Sequence, residues 1–196
     1  MKTTFETVTA GIDTLSRYSE IPIAFRVESI FRVEPKEKGL AGIELHEEKV
    51  DHPYVKDYDA FRGEGPTRWL KRFDISNMSN WGIIMAFIEG RHTGGSVVVP
   101  GGYIGDLDKR FAQLFDIRVH PEIRRQGIGA GLLQHATNWA RQYGCKHLKI
   151  ETQNTNVPAC RFYAGQGCEL GHIERYAYTG HPEIEHETRL EWYLEL

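Results

Sequence analysis

Between a strand-like run and a helix-like run lies Arg124-Arg125-Gln126-Gly127-Ile128-Gly129-Ala130-Gly131. These residue types at this spacing suit anion binding. Successive backbone N–H groups at a helix start form a concavity with partial positive charge, and the helix dipole adds to it. Gly127 and Gly129 carry no Cβ to hold a pyrophosphate away, and Arg124 and Arg125 bring charge for outlying phosphates. Three glycines in five residues cost about 1 kcal/mol each inside a helix relative to alanine, which asks for a reason beyond folding. A tight strand-to-helix turn without a ligand is the competing reading. A Rossmann fingerprint fits poorly, although Glu151 ends the next strand, because G-x-G-x-G lacks the later third glycine. A P-loop fails because no Gly-Lys-Ser/Thr follows.

Other constellations carry less. His46-Glu47-Glu48 starts like a zincin HExxH, but position 50 is Val and His52 falls on the wrong helical face. Val98 breaks any serine-hydrolase elbow around Ser96. His181 and His186 flank Pro182 in a hairpin loop and read as solvated histidines, so no metal site is expected. Cys145, Cys160 and Cys168 are too few and scattered for a disulfide framework or a zinc site, and Cys160 reads as a buried filler.

The elements that must position the loop are clearest in the second half. Ala112 to Val119 reads as a buried strand and His120 to Gln126 as a loop. Ile128, Leu132, Leu133, Ala136, Trp139, Ala140 and Tyr143 then recur at helical spacing, with Gly144 as the stop. His147 to Thr152 is the next strand; Asn156 and Pro158 open a short helix that Gly167 closes. Cys168 to Tyr178 and Thr188 to Leu196 read as two antiparallel strands. Upstream, Ile21 to Glu34, Arg68 to Ile75, Trp81 to Ile88 and Val97 to Val99 read as strands, whereas Ile43 to Tyr58 is polar and fits helix or irregular structure. The class is α+β (mixed α/β) around a central sheet.

The 196 residues carry 24 Lys and Arg against 27 Asp and Glu, a net charge of −3. That balance, without a polybasic tail, excludes duplex nucleic acid as the main ligand. The longest run free of charged residues is 15, too short for a membrane helix. With no apolar leader at the N-terminus, a cytoplasmic single domain is expected. The near-neutral total hides a local −4 over residues 44–64 and +5 over residues 118–149. These are either two solvated faces or a place for a cationic substrate and a place for an anionic cofactor.

The run LFDIRVHPEIRRQGIGAGLL resembles the first motif of the GNAT (Gcn5-related) N-acetyltransferases, Arg/Gln-x-x-Gly-x-Gly/Ala, through Arg124, Gly127 and Gly129. NVPACRFYAGQGCELG resembles the next motif through Asn156, Ala159, Phe162, Tyr163 and Gly167. Cys168 departs from it, an aromatic being usual there. Together they cover residues 112–178; more loosely, IETQNTNVPACRFY, LEWYLEL and FRVESIFRVE…HPYVKDYD resemble streptothricin acetyltransferases over most of the chain.

The resemblance implies one GNAT domain over residues 1–196, with an N-terminal elaboration over about 1–65. It implies a mostly antiparallel sheet flanked by helices, whose two cofactor-binding strands splay apart. It implies acetyl-CoA as co-substrate, held by Ile117, Arg118, Val119, Arg124, Arg125, Gln126, Gly127, Ile128, Gly129, Ala130, Asn156 and Tyr163. The acceptor would be an amine of a cationic small molecule such as streptothricin, attacking the thioester directly. Another amine (a polyamine, an amino-antibiotic or a protein amine) and a non-catalytic acyl-CoA sensor are the alternatives, and a homodimer is left open. Tyr163 is the implied acid for the leaving thiolate, against a core aromatic. Asp116 and Glu151 are the candidate bases, against strand-end acids that cap an amide or pair with Arg118. Tyr176 and Tyr178 read more readily as packing than as substrate walls.

Overall fold

Gly82-Ile-Ile-Met-Ala-Phe-Ile88 is apolar without alternation, and it forms a strand buried on both faces. The structure, a computed structural model, describes residues 2–60, 75–102 and 107–196. Its elements are β1 (Thr3–Val8), α1 (Ile12–Ser19), β2 (Phe25–Pro35), β3 (Ile43–Lys56), β4 (Gly82–Ile88), β5 (Arg91–Pro100) and β6 (Phe111–Val119). Then follow α2 (Ile128–Gln142), β7 (His147–Gln153), α3 (Val157–Gly165), β8 (Glu169–Glu174) and β9 (Arg189–Glu195). This is the expected mixed α/β class, with antiparallel pairing predominant.

The chain divides into two units, residues 1–24, 57–149 and 195–196, and residues 25–56 and 150–194. In the first unit the strands run β1-β4-β5-β6, each antiparallel to the next. Gly94 and Gly95 in β5 explain how the helices approach. A Cβ on Gly95 would stand 2.6 Å from the Tyr18 ring of α1, and one on Gly94 would press on Leu132 of α2 at 3.3 Å. Successive strand residues face opposite ways, so α1 and α2 cover opposite faces. Leu15, Tyr18, Met78, Trp81, Ile83, Met85, Phe87, Val97 and Val99 make the α1-side core. On the other side α2 buries Ile128, Leu132, Leu133, Ala136 and Ala140, and Gly144 ends it with a left-handed φ of 89°. Between β5 and β6 the register steps from Val97↔Asp116 to Val98↔Leu114. Phe115 is thus a bulge residue, and it re-aims the second half of β6.

In the second unit β7, from Ile150 on, is followed in the strand order by β9 and β8, and β2 and β3 form a separate antiparallel ribbon. Asn154 joins the ribbon to the rest. Its amide donates to the Phe31 carbonyl at 2.9 Å and its side-chain oxygen accepts from Thr188 N at 2.8 Å. Lys56 at the end of β3 is buried against Glu187, within 3.3 Å of the Thr155 hydroxyl.

The structure corrects several expectations. Ile43 to Tyr58 is neither helix nor irregular: it holds the 14-residue strand β3. β1 and α1 have no counterpart in the sequence reading. The strand expected at Val97–Val99 is 10 residues long and runs through Gly94 and Gly95. The β8 strand stops at Glu174, short of Tyr178. The expected strand at Arg68 to Ile75 lies, apart from Ile75, outside the described residues, as do Arg62 and Glu64.

Candidate functional site

The glycine loop leaves β6 at Val119, turns once through Pro121–Ile123 and enters α2 at Ile128. Arg125 (φ 67°) and Gly127 (φ 82°) are both left-handed on either side of Gln126, a backbone in which consecutive N–H groups converge. Gly127 is the N-cap of α2 and no side chain caps the helix, so the amides of its first turn lack an intrahelical acceptor. Gly131 N donates to Gly127 O at 3.0 Å. Arg125, Gln126 and Gly127 are exposed, Gly129 and Ala130 half-buried, and Ile128 is the buried anchor. Two of the three glycines have different causes. Gly127 is required by its backbone angle, whereas a Cβ on Gly131 would lie 2.2 Å from the Phe5 ring, a packing reason.

Arg124 serves the loop rather than reaching outward. Its Nε donates to Val119 O and its Nη2 to Ala24 O, both at 3.0 Å, and burial pulls its pKa down. The expectation of a phosphate contact therefore passes to Arg125 and to the loop amides.

Asp116 and Arg118 are turned further inward. On β6 both point to the buried side, while Ile117 and Val119 alternate with them. Arg118 donates through Nε to Asp116 Oδ1 at 3.1 Å and through Nη2 to Asp116 Oδ2 at 2.7 Å. Its Nη1 reaches Asp59 Oδ2 at 2.9 Å and Ile21 O at 3.0 Å. The Tyr18 hydroxyl donates to Asp116 Oδ1 at 2.7 Å, and the guanidinium lies 4.9 Å from the Tyr18 ring centre. Side-chain exposure is 0% for Arg118, 1% for Asp116 and 9% for Asp59. Burial opposes the Arg118 charge, but Asp116 and Asp59 outweigh it and raise its pKa. A carboxylate enclosed by a guanidinium and a phenol is a poor base for an incoming amine, and Arg118 adds nothing to the cationic surface. What β6 offers a ligand at Ile117, Arg118 and Val119 is backbone.

Burial, then Asp116, raises the Tyr18 pKa well above its usual 10.0. The unfolded chain therefore releases this proton first, and stability present below about pH 10 is lost as pH rises towards the folded value. Urea denaturation at pH 8 to 11.5 should show wild-type stability falling above about pH 10, and Tyr18→Phe falling less steeply.

In the second unit Asn156 caps α3, its side chain accepting from Ala159 N at 3.2 Å, so its part in the motif is to start the helix. Tyr163 is 5% exposed on α3, its ring 5.3 Å from that of Phe162. Burial pushes the Cys160 thiol up to about 12 and the Cys168 thiol up to about 11, so neither is an activated nucleophile. Glu151, 34% exposed, accepts from the Tyr178 hydroxyl at 3.1 Å and lies 4.0 Å from Arg189 Nη1. Gln153 Nε2 donates to the same hydroxyl at 2.8 Å. The sequence reading weighed Tyr178 as packing or a substrate wall; nothing local marks a residue whose hydrogen-bond partners lie 25 and 27 positions upstream.

Three acids of the stretch 44–64 are paired on the ribbon. Glu48 meets Arg32 at 2.7 Å, Glu44 meets Lys36 at 3.2 Å, and Glu47 meets Ser29 and Arg161. His46 sits beside Glu44 on a strand, not a helix. No cluster of three or more metal-ligating side chains occurs among the described residues, nor does any helix long and apolar enough to cross a membrane.

The profile of the Acetyltransferase (GNAT) family matches residues 42–168. A streptothricin acetyltransferase from Streptomyces lavendulae is 38% identical over 157 residues, 80% of this chain and 77% of that protein. Streptothricin acetyltransferase A from Bacillus subtilis (strain 168) is 27% identical over 149 residues, 75% of this chain and 76% of that protein. The match to a streptothricin acetyltransferase from Escherichia coli, 37% identical, spans only 36% of this chain and 40% of that protein. Among solved structures, a nourseothricin acetyltransferase aligns over 100% of this chain and 99% of its own, with TM-score 0.76 and 24% identity. A Bacillus anthracis str. Ames protein assigned as a streptothricin acetyltransferase, in complex with acetyl coenzyme A, aligns over 100% of both chains with TM-score 0.77 and 24% identity.

Proposed function

Because this chain belongs to the Acetyltransferase (GNAT) family, we propose that its N-acetyltransferase activity serves an amine on a cationic small molecule, with streptothricin as the first acceptor to test. The observation that carries the cofactor half is the uncapped start of α2 behind two left-handed residues. Its converging amides, with Arg125 beside them, suit the pyrophosphate of acetyl-CoA. The acceptor half rests on the likeness to streptothricin acetyltransferases. Residues 1–196 are taken to work as one catalytic domain, in the cytoplasm where the co-substrate is available.

Acetyl-CoA supplies a thioester carbonyl open to direct attack. The protein's own task is proton management. An alkyl amine with a pKa near 10.4 is about one part in 10³ neutral at pH 7, so a group must accept its proton. Glu151 is the base in this reading, through a water, since Asp116 is enclosed. A backbone N–H on the Ile117–Val119 strand donates to the oxyanion as the amine nitrogen bonds to the carbonyl carbon. Tyr163 gives its proton to the sulfur as the C–S bond breaks. Purified protein with acetyl-CoA and streptothricin should release free thiol well above a no-acceptor control. Release no faster than the control would sink streptothricin as acceptor and send the search to polyamines, other amino-antibiotics and protein amines.

A further inference from the structure

We propose that Tyr178 is a positioning residue that fixes the Glu151 carboxylate for proton transfer, an inference that rests on the reading of Glu151 as the base. The contact has a direction. Ionised Glu151 can only accept, so the single hydroxyl hydrogen of Tyr178 points at Glu151 Oε1, 3.1 Å away. The hydroxyl oxygen is left to accept, which requires the amide nitrogen of Gln153 to face it, and Gln153 Nε2 stands there at 2.8 Å. The relay Gln153→Tyr178→Glu151 thus has one self-consistent order. A third-exposed glutamate has several rotamers of similar energy; this relay, running back to its own strand, holds it in one.

Tyr178 can do this only if its loop is itself held. The segment between β8 and β9 turns through Thr179 N→Tyr176 O at 3.3 Å and His181 N→Tyr178 O at 3.0 Å. At its far end Glu187, almost fully buried, pairs with Lys56. Beside it Thr188 N donates to the Asn154 side chain at 2.8 Å. Two titratable groups reach Glu151 from other elements. From the loop comes the Tyr178 phenol. From β9 comes Arg189, whose charge burial opposes but Glu151, Glu174 and Glu191 sustain, raising its pKa. Arg189 is shared with Glu174 and Glu191, so it supplies charge to Glu151 without fixing its orientation.

The test is a double-mutant cycle with pH profiles on purified full-length protein, using acetyl-CoA and the acceptor that gives turnover. Tyr178→Phe keeps the ring and removes the donor. It should lower kcat about tenfold with the acetyl-CoA KM within about twofold. It should also move the acid limb of kcat/KM to higher pH, because a hydrogen bond to the charged form is lost. Gln153→Met, which leaves the tyrosine in place, should act in the same direction and less. Glu151→Gln sets the floor, and Glu151→Gln/Tyr178→Phe should be no slower than Glu151→Gln within about twofold. Losses that multiply, or an acid limb that does not move, overturn the inference and leave the base in place. Wild-type turnover by Glu151→Gln overturns the base assignment itself, and with it the inference.

Discussion

Replacing Arg118 by Met is expected to cost about 3–5 kcal/mol of folding stability, the usual penalty for stripping the partner from buried charge. The guanidinium serves two carboxylates, Asp116 and Asp59, and the Ile21 carbonyl, with none of its side chain exposed. Without it Asp116 keeps only the Tyr18 hydroxyl among these contacts. For a chain of this length roughly 2–4 °C is lost per kcal/mol, so a melting temperature lower by about 6–20 °C is the readout. Tyr18→Phe removes one donor and should cost about 1 kcal/mol. Combining Arg118→Met with Asp116→Asn and Asp59→Asn leaves amides in place of unpaired charge, and should recover part of the loss. A drop under about 1 kcal/mol for Arg118→Met would mean that water reaches these carboxylates and that the network is not a closed one.

Tyr163→Phe is expected to lower kcat about 10²–10³-fold while the acetyl-CoA KM stays within about twofold, the pattern of a lost acid. Phenylalanine fills the same volume beside Phe162, so the fold should survive and thermal melting will show it. A pH series separates chemistry from packing. An alkyl thiol has a pKa near 8.5, so at higher pH the leaving sulfur needs a proton less and the deficit of the variant should narrow. A constant deficit across pH would point to misplaced substrate instead, and unimpaired turnover would remove the role from Tyr163.

Much of this was legible where one chain segment carries its own reasons. Of the α2 stripe, positions 128, 132, 133, 136 and 140 are buried as the spacing predicts, whereas Trp139 is half-buried and Tyr143 exposed. Gly127, Gly144 and Gly167 all take the positive φ for which glycine is used, and Asn156 caps the helix it opens. Where the reason lies elsewhere in the chain, periodicity says nothing. β3 presents no apolar stripe: among the described residues it pairs only with β2, and it meets it through charges, Glu48 on Arg32 and Glu44 on Lys36. Gly94 and Gly95 carry no side chain that marks β5 as a strand, yet a Cβ there would meet the Arg118 carbonyl at 2.7 Å and the Tyr18 ring at 2.6 Å. Asp116 could be a base or a partner of Arg118; choosing between them required Tyr18 and Asp59, separated from β6 by 98 and 59 positions. The positive count over 118–149 misled in part, since Arg118 is neutralised internally and Arg124 is turned to backbone carbonyls.

The second unit is assembled from two distant stretches, and that has a consequence for its birth on the ribosome. Phe31 waits for Asn154 across 123 positions and Lys56 for Glu187 across 131. At about 5–20 residues per second, the ribbon, complete at Lys56, waits about 5–20 s for Asn154 to follow it. An isolated two-stranded ribbon is marginal in water. For that interval its outer edges are protected by little besides their charged side chains, so the pace of translation through the intervening hundred or so residues sets how long the nascent chain stays open to wrong partners.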